Sequence, residues 1–244
     1  MDKMGSSVLW KACVLAILGF GYHAYGACIK VYGNFNLASD IFTCYEIYGN
    51  NITFNGNGHT VYGNPSQSSN IVINVMGTNN VTVKNVTVDC NTKSTGIEFD
   101  NAGSSNATDI MVKNCYVGVQ KSNTNLNVVG LGGGTLSNMI NNSMDVNSFD
   151  GTSTYIYTSY LDGYNNGTGF GVHVDTSPYY DYNSVFYLKN VGLLANNNSF
   201  FWLDHTYFFA NTSKDLMLYN IPAAYLSSVY YTTSTVYNTT VYKL

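Results

Sequence analysis

The chain reads as all-β: a single-stranded right-handed parallel β-helix, a solenoid of about seven coils with three short strands in each. Three observations predict it. A polar-led phrase recurs at one constant interval, as Asn51-Ile52-Thr53-Phe54, Asn80-Val81-Thr82-Val83, Asp109-Ile110-Met111-Val112 and Asn138-Met139-Ile140-Asn141. A fixed period on that scale marks a repeat whose units stack on one another. Within each phrase apolar and polar residues alternate, the period of a strand with one face inward. Gly, Asn and Ser clusters such as Gly130 to Gly134 and Asn196 to Ser199 supply the turns, and the helix signal is weak throughout.

The first element is residues 1–26, which read as a secretory signal peptide. Lys3 and Lys11 precede an apolar run from Ala12 to Phe20, and Ala24-Tyr25-Gly26 offers small residues at a cleavage spacing. The alternative is a retained N-terminal anchor, although the run is short for a membrane span. Residues 27–50 are expected to form an N-terminal cap and first turn, because an uncovered coil presents an unpaired edge. Strands then follow through 27–244 as one domain, among them Ile71-Val72-Ile73, Ile97-Glu98-Phe99, Val128-Val129, Tyr155-Ile156-Tyr157 and Val172-His173-Val174. Two phrases turn on an Asn and resume, at Asn85-Val86-Thr87-Val88 and Asn114-Cys115-Tyr116-Val117. Asn85, Asn114, Asn190 and Asn220, with Asp204 standing in once, are expected to share one column at strand ends. There Asn tolerates left-handed backbone, and its amide can bond along the stack. The Tyr- and Thr-rich end from Tyr230 to Leu244 would close the far side.

Composition narrows the function. Only 10% of residues are charged, against roughly 25% in ordinary domains. The polar load is neutral, with 33 Asn and 22 Tyr, and all ten basic residues are Lys. A net charge of −4 without a basic patch argues against nucleic acid as partner. Outside the leader there is no second long apolar run, so the mature chain is expected to be exported, at the cell surface or free, with no membrane span.

Export agrees with the cysteines and the sequons. Once Cys13 leaves with the leader, Cys28, Cys44, Cys90 and Cys115 remain, an even set with three possible pairings. Cys28 with Cys44 is the preferred pair, stapling the first turn. Cys115, placed in the column of Val86, reads as a small buried hydrophobe. Nine Asn-x-Ser/Thr sequons are present, at Asn51, Asn80, Asn85, Asn106, Asn141, Asn166, Asn197, Asn211 and Asn238. Fewer than half are expected to carry sugar.

The stretch Tyr45 to Gly63, and Asn57-Gly58-His59-Thr60-Val61 above all, resembles the opening coil of right-handed parallel β-helix proteins related to the periplasmic copper-accessory protein NosD. It is most similar to the secreted, Cys-containing archaeal surface proteins of that group. The resemblance is confined to this stretch and its lead-in from Leu37 to Cys44, and it implies the pectate-lyase-like superfold. That superfold hosts lyases, hydrolases, epimerases, adhesins and viral fibres, so the fold does not name the function.

No Arg, Asp-Asp pair, Asn-Thr-Asp triplet or Gly-His-Gly is present, although the lyase and galacturonase sites of the superfold rely on such groups. His173 and Asp175 lie two apart on an expected strand and leave the same face, a weak acid/base candidate. Asp89, Glu98 and Asp100 are weak calcium candidates through their oxygens. His59 reads as a packed first-coil residue, and Asp204-His205 as turn-stabilising. The methionines are scattered, without the clustered thioethers of a soft-metal site. No cofactor is expected.

Tyr155, Tyr157, Tyr179 and Tyr180 are the candidate ligand-binding residues, because outward Tyr rows can stack on sugars or bury against a partner. Aromatic ladder packing between coils is the equal alternative. The function expected is a secreted, non-catalytic surface β-helix, structural or binding a carbohydrate or another surface protein. Its rivals are a carbohydrate-active enzyme (polysaccharide lyase or glycoside hydrolase) and a NosD-like metal-delivery accessory.

Overall fold

A computed structural model describes residues 27–63, 69–91, 95–129, 137–142 and 144–148, and from residue 153 onward chiefly the strands, as far as Lys243. Residues 1–26, Cys13 included, lie outside the described residues. The described chain is all-β, with every strand pairing parallel, and it winds as a β-solenoid of the right-handed β-helix type. Right-handed winding is what twisted strands impose on parallel crossovers. No helix among the described residues is long and apolar enough to cross a membrane.

The strands stack in three ladders around one lumen. The first passes in register through Ile29, Tyr45, Ile73, Ile97, Val119, Val146, Val172, Leu193, Leu216 and Ser234, ten strands in all. The second begins Phe35, Phe54, Val83, Ala107, Val128 and Ile156. The third begins Ile41, Val61, Val88, Val112, Met139 and Leu161. Alternation decides what faces the lumen. In Thr82–Asp89 and Thr95–Lys113, buried and half-exposed residues alternate over most of the length. Ile73, Ile97, Val119 and Val146 are fully buried as a result.

Coil length is not constant, and the number of coils differs somewhat from the expected seven. In the second ladder the step from Thr53 to Thr82 equals the interval of the phrase, but the steps from Thr82 to Asn106 and from Asn106 to Asn127 are successively shorter. The recurring phrase therefore drifts out of register after its second copy. Asp109-Ile110-Met111-Val112 lies on Asn85-Val86-Thr87-Val88, because Val86 faces Ile110, and not on Asn80-Val81-Thr82-Val83. Asn138 faces Met111, a further slip.

The Asn chemistry is present but distributed over several corners. Asn51, Asn80, Asn85, Asp109, Asn114 and Asn141 all adopt left-handed backbone, with φ between 48° and 58°. Asn51 and Asn80 stand before the second ladder, Asn85 and Asp109 between the second and third, and Asn114 and Asn141 after the third. Asn85 and Asn114 thus do not share a column, while Asn190 and Asn220 lie outside the described residues. Amides bond up the stack: Asn55 to Asn36, Asn80 to Asn51, Asn123 to Asn101, Asn127 to Asn106 and Asn141 to Asn114, each Nδ2 donating to Oδ1 at 2.8–3.0 Å. Each such bond contributes about 0.5–1.5 kcal/mol net.

Two disulfides join neighbouring coils, Cys28–Cys44 and Cys90–Cys115. The first agrees with the preferred pairing. The second corrects the reading of Cys115 as a mere buried hydrophobe. Cys115 stands beyond the third ladder, not in the column of Val86, and there it meets Cys90 of the coil before.

Residues 27–50 contain the strands Ile29–Val31, Phe35–Asn36, Ile41–Phe42 and Tyr45–Ile47, so the opening segment is itself a coil. Close stacking sets the tolerance at corners. A Cβ on buried Gly56 would press against Val86 and lie 2.5 Å from the Asn85 carbonyl oxygen, whereas one on Gly33 would meet nothing within 4 Å. Gly56→Ala is therefore expected to destabilise by about 1–3 kcal/mol, and Gly33→Ala to change stability by less than about 0.5 kcal/mol. Urea midpoints measure both, and equal midpoints would contradict the stacked corner.

Candidate functional site

Among the described residues the inward-facing side chains are buried against one another, and the outer faces carry the surface a partner would meet. On the outer side of the second ladder one column runs Thr53, Thr82, Asn106, Asn127, Tyr155 and Tyr180, and the backbone register continues it through Trp202, Tyr225 and Tyr242. Its earlier members are small and neutral, and Asn127 donates to Asn106 at 2.9 Å. From Tyr155 onward every position is aromatic. The rings of Tyr155 and Tyr180 stack at 4.7 Å between centroids and 7° between planes. That is the inter-strand spacing of a sheet, so each ring covers the face of its neighbour and leaves edge and hydroxyl to the outside. Burial, and then the neighbouring Tyr155 hydroxyl, push the Tyr180 hydroxyl above its ordinary pKa.

The four candidate tyrosines do not form one patch. Tyr155 and Tyr180 share the column. Tyr157 stands two positions along, in register with Val129 and Tyr182. Tyr179 is in register with Thr154 and, one rung further, Leu126, both fully buried positions.

The outer side of the first ladder carries most of the acid candidates. Lys30, Glu46, Asn74, Glu98, Gln120, Asn147 and His173 stand in one column. Several of its polar groups are tied in pairs, whereas the buried Asn74 Oδ1 accepts no bond. Gln120 Nε2 donates to Glu98 Oε1 at 2.7 Å, the Tyr48 hydroxyl donates to Glu46 Oε2 at 2.8 Å, and His173 Nδ1 lies 3.2 Å from Asn147 Oδ1. His173 and Asp175 share the strand Val172–Asp175, as alternation expects, but the His173 ring contacts Asn147 on the coil before. Asp100 sits in the adjacent column, in register with Met76 and Ser122.

Asp89 is elsewhere, on the third ladder. It lies 3.5 Å from the Lys113 ammonium and accepts from Asn114 Nδ2 at 3.0 Å. The calcium trio is thus split between two faces. Among the described residues no group of three or more His, Cys, Asp or Glu is placed to hold a metal. His59 is half-buried and contacts Asp40 at 3.3 Å, and Asp40 also accepts from the Thr60 amide at 2.9 Å. Asp204 is in register with Tyr182 and Ser227, and His205 lies outside the described residues.

No protein-family model, curated protein or solved structure matches this chain. Its function is therefore read from its own surface.

Glu98 offers a pH test. Burial chiefly, and then the charge of Asp100, hold its carboxyl above the ordinary carboxylate range, against the opposing bond from Gln120. An acid whose folded pKa is raised binds its proton more tightly when folded. Its contribution is full below the unfolded pKa and is lost as pH rises through the folded one. Glu98→Gln keeps the acceptor for Gln120 and removes the charge. The midpoint difference between variant and wild type is expected to shift in favour of the variant as pH rises from about 4 towards 7. A difference independent of pH would contradict the assignment.

One buried feature escaped the sequence reading. Lys121 occupies the lumen column between Phe99 and Ser148, fully buried, with its Nζ donating to the Thr124 carbonyl at 3.0 Å. Ser148 and Thr154, also fully buried, lie 3.2 Å apart at their hydroxyls. The strand Val117–Val129 gives the signal: Val119 and Lys121 have the same parity, so alternation sends both inward.

Proposed function

We propose that the chain is a secreted, non-catalytic β-solenoid of the cell surface that binds a glycan or a surface protein along its aromatic column. The Tyr155–Tyr180 stack carries this reading. Rings locked one on another lose little entropy on binding, and they present a straight row of edges and hydroxyls to a long partner. The neutral Thr and Asn positions earlier in the column extend a hydrogen-bonding surface of the kind uncharged sugars meet. The two coil-to-coil disulfides and the apolar leader support export. The similarity of Tyr45 to Gly63 to NosD-related surface β-helices supports the same setting. The carboxylates described above are tied to Gln120, Tyr48, Lys113 and Asn114, which favours a structural role for them.

A glycan array run beside an assay for cleavage of acidic polysaccharides tests the proposal. Binding without cleavage is expected, weakened about tenfold or more by Tyr155→Ala/Tyr180→Ala, which corresponds to roughly 1.4 kcal/mol or more. Cleavage of an acidic glycan would replace this reading with the enzyme of the pectate-lyase-like superfold. Stoichiometric copper uptake would favour the NosD-like accessory.

A further inference from the structure

Five of the nine sequons, those at Asn51, Asn80, Asn85, Asn106 and Asn141, fall within the described residues, and in sequence they look alike. The solenoid makes them unequal. The folded solenoid accommodates a sugar best on an exposed asparagine whose Nδ2 is not used in the stack, with room beside it for a sugar ring. Asn80 donates its Nδ2 to Asn51 Oδ1 at 2.9 Å, and Asn141 donates to Asn114 Oδ1 at 2.8 Å. Asn51 is exposed, but its oxygen accepts from Asn80 one rung away, about 4.8 Å along the stack. A sugar on Asn51 would crowd that amide. Asn106 is half-buried in mid-strand, between Thr82 and Asn127, and accepts from Asn127.

Asn85 differs from all four. It is exposed at the corner between the second and third ladders, with φ of 48°, and no hydrogen bond among the described residues engages its side-chain amide. Its backbone is fixed, because its carbonyl accepts from the Gly58 amide at 2.9 Å. Asn55 faces Lys84, so the residue one rung before Asn85 is Gly56, which has no side chain. Gly56 packs closely under the Asn85 backbone and sets no side chain beside the Asn85 amide, while Asp109 stands one rung after it. Thr87, the third residue of the sequon, is half-exposed on the outer side of its strand.

We propose that Asn85 is the principal glycan-bearing residue among the described sequons, a proposal that rests on the export reading above. The donor is a lipid-diphosphate-linked oligosaccharide, used by an oligosaccharyltransferase. The Nδ2–C1 bond forms and the bond from C1 to the diphosphate oxygen breaks. The lipid diphosphate leaves with that electron pair, and one Nδ2 proton passes to the transferase's base. The second Nδ2 hydrogen stays.

The test expresses the full chain in a glycosylating eukaryotic cell and maps glycopeptides of the secreted protein, with glycans removed enzymatically in heavy-oxygen water. Heavy label is expected at Asn85, with Asn51, Asn80, Asn106 and Asn141 little labelled. Thr87→Val, which leaves Asn85 and its backbone in place, is expected to abolish one glycan's mobility shift. Thr82→Val, which removes the Asn80 sequon, is expected to leave that shift intact. Secreted protein bare at Asn85, or labelled equally at Asn80 and Asn85, overturns the proposal alone. A chain held inside the cell and bare overturns it together with export.

Discussion

Replacing Phe54 by Ala is expected to lower the unfolding free energy by about 3–5 kcal/mol. Phe54 is fully buried at the start of the second ladder, with Phe35 before it and Val83 after it. Its ring centroid lies 5.2 Å from Phe35 and 5.0 Å from Tyr45, so the Ala variant leaves a void bounded by two other rings. The lumen is closed by strands on every side and cannot collapse far, which puts the cost at the high end of large-to-small changes. In a stacked repeat each coil touches only its neighbours, so the damage should stay local. Hydrogen exchange is expected to speed up between Ile29 and Tyr62 far more than in the strand Val117–Val129. A loss below about 1 kcal/mol, or a loss spread evenly over all coils, would contradict a lumen built from in-register columns.

Removing the Cys90–Cys115 bridge is the second large effect. The two cysteines are separated by 25 residues in sequence and lie on adjacent coils, where the Cys90 amide donates to the Lys113 carbonyl. Closing a loop of that length restricts the unfolded chain by about 3–4 kcal/mol in the chain-entropy account. Cys90→Ala/Cys115→Ala is expected to lose roughly that amount in urea denaturation, within the roughly 2–5 kcal/mol usual for small exported domains. Reductant should bring the wild type close to the variant and leave the variant unmoved. The alternative, two packed thiols, predicts a smaller loss with no response to reductant. The experiment therefore separates the two readings of Cys115 without depending on the absolute size of either.

Much of the fold was legible because a strand's instructions are local. Val-Thr-Val and Ile-Asn-Val carry their own period of two, and burial in the structure follows that parity on either side of Asn85 in Thr82–Asp89 and from Ile73 onward in Ile71–Met76. Turn chemistry was legible for the same reason at Asn85 and Asn114, which do take the left-handed conformation that Asn tolerates; Asn51, Asn80 and Asn141 take it as well. Cys28–Cys44 was legible because a short span at the start of the chain leaves few alternatives. Lys121 shares the inward parity of Val119, against the rarity of a fully buried Lys.

The candidate site was less legible. Tyr155 and Tyr180 stand a whole coil apart in sequence, and nothing near either names the other as its stacking partner. Trp202, Tyr225 and Tyr242 enter the same column only when the ladder register is known.

By itself, then, the amino-acid order determined which residues turn inward, where the chain bends and that its coils stack in one direction. Those are short-range matters, settled by side-chain parity and by the backbone preferences of Asn and Gly. Which residue lies above which was decided only in three dimensions. Coils of unequal length share the same three ladders, so the excess is taken up in corners and no fixed period can track it. The Cys90–Cys115 bridge, the split of Asp89 from Glu98 and the stacked tyrosines all follow from that register. The register in turn is set by packing the lumen, where one slipped residue would turn a buried face to water.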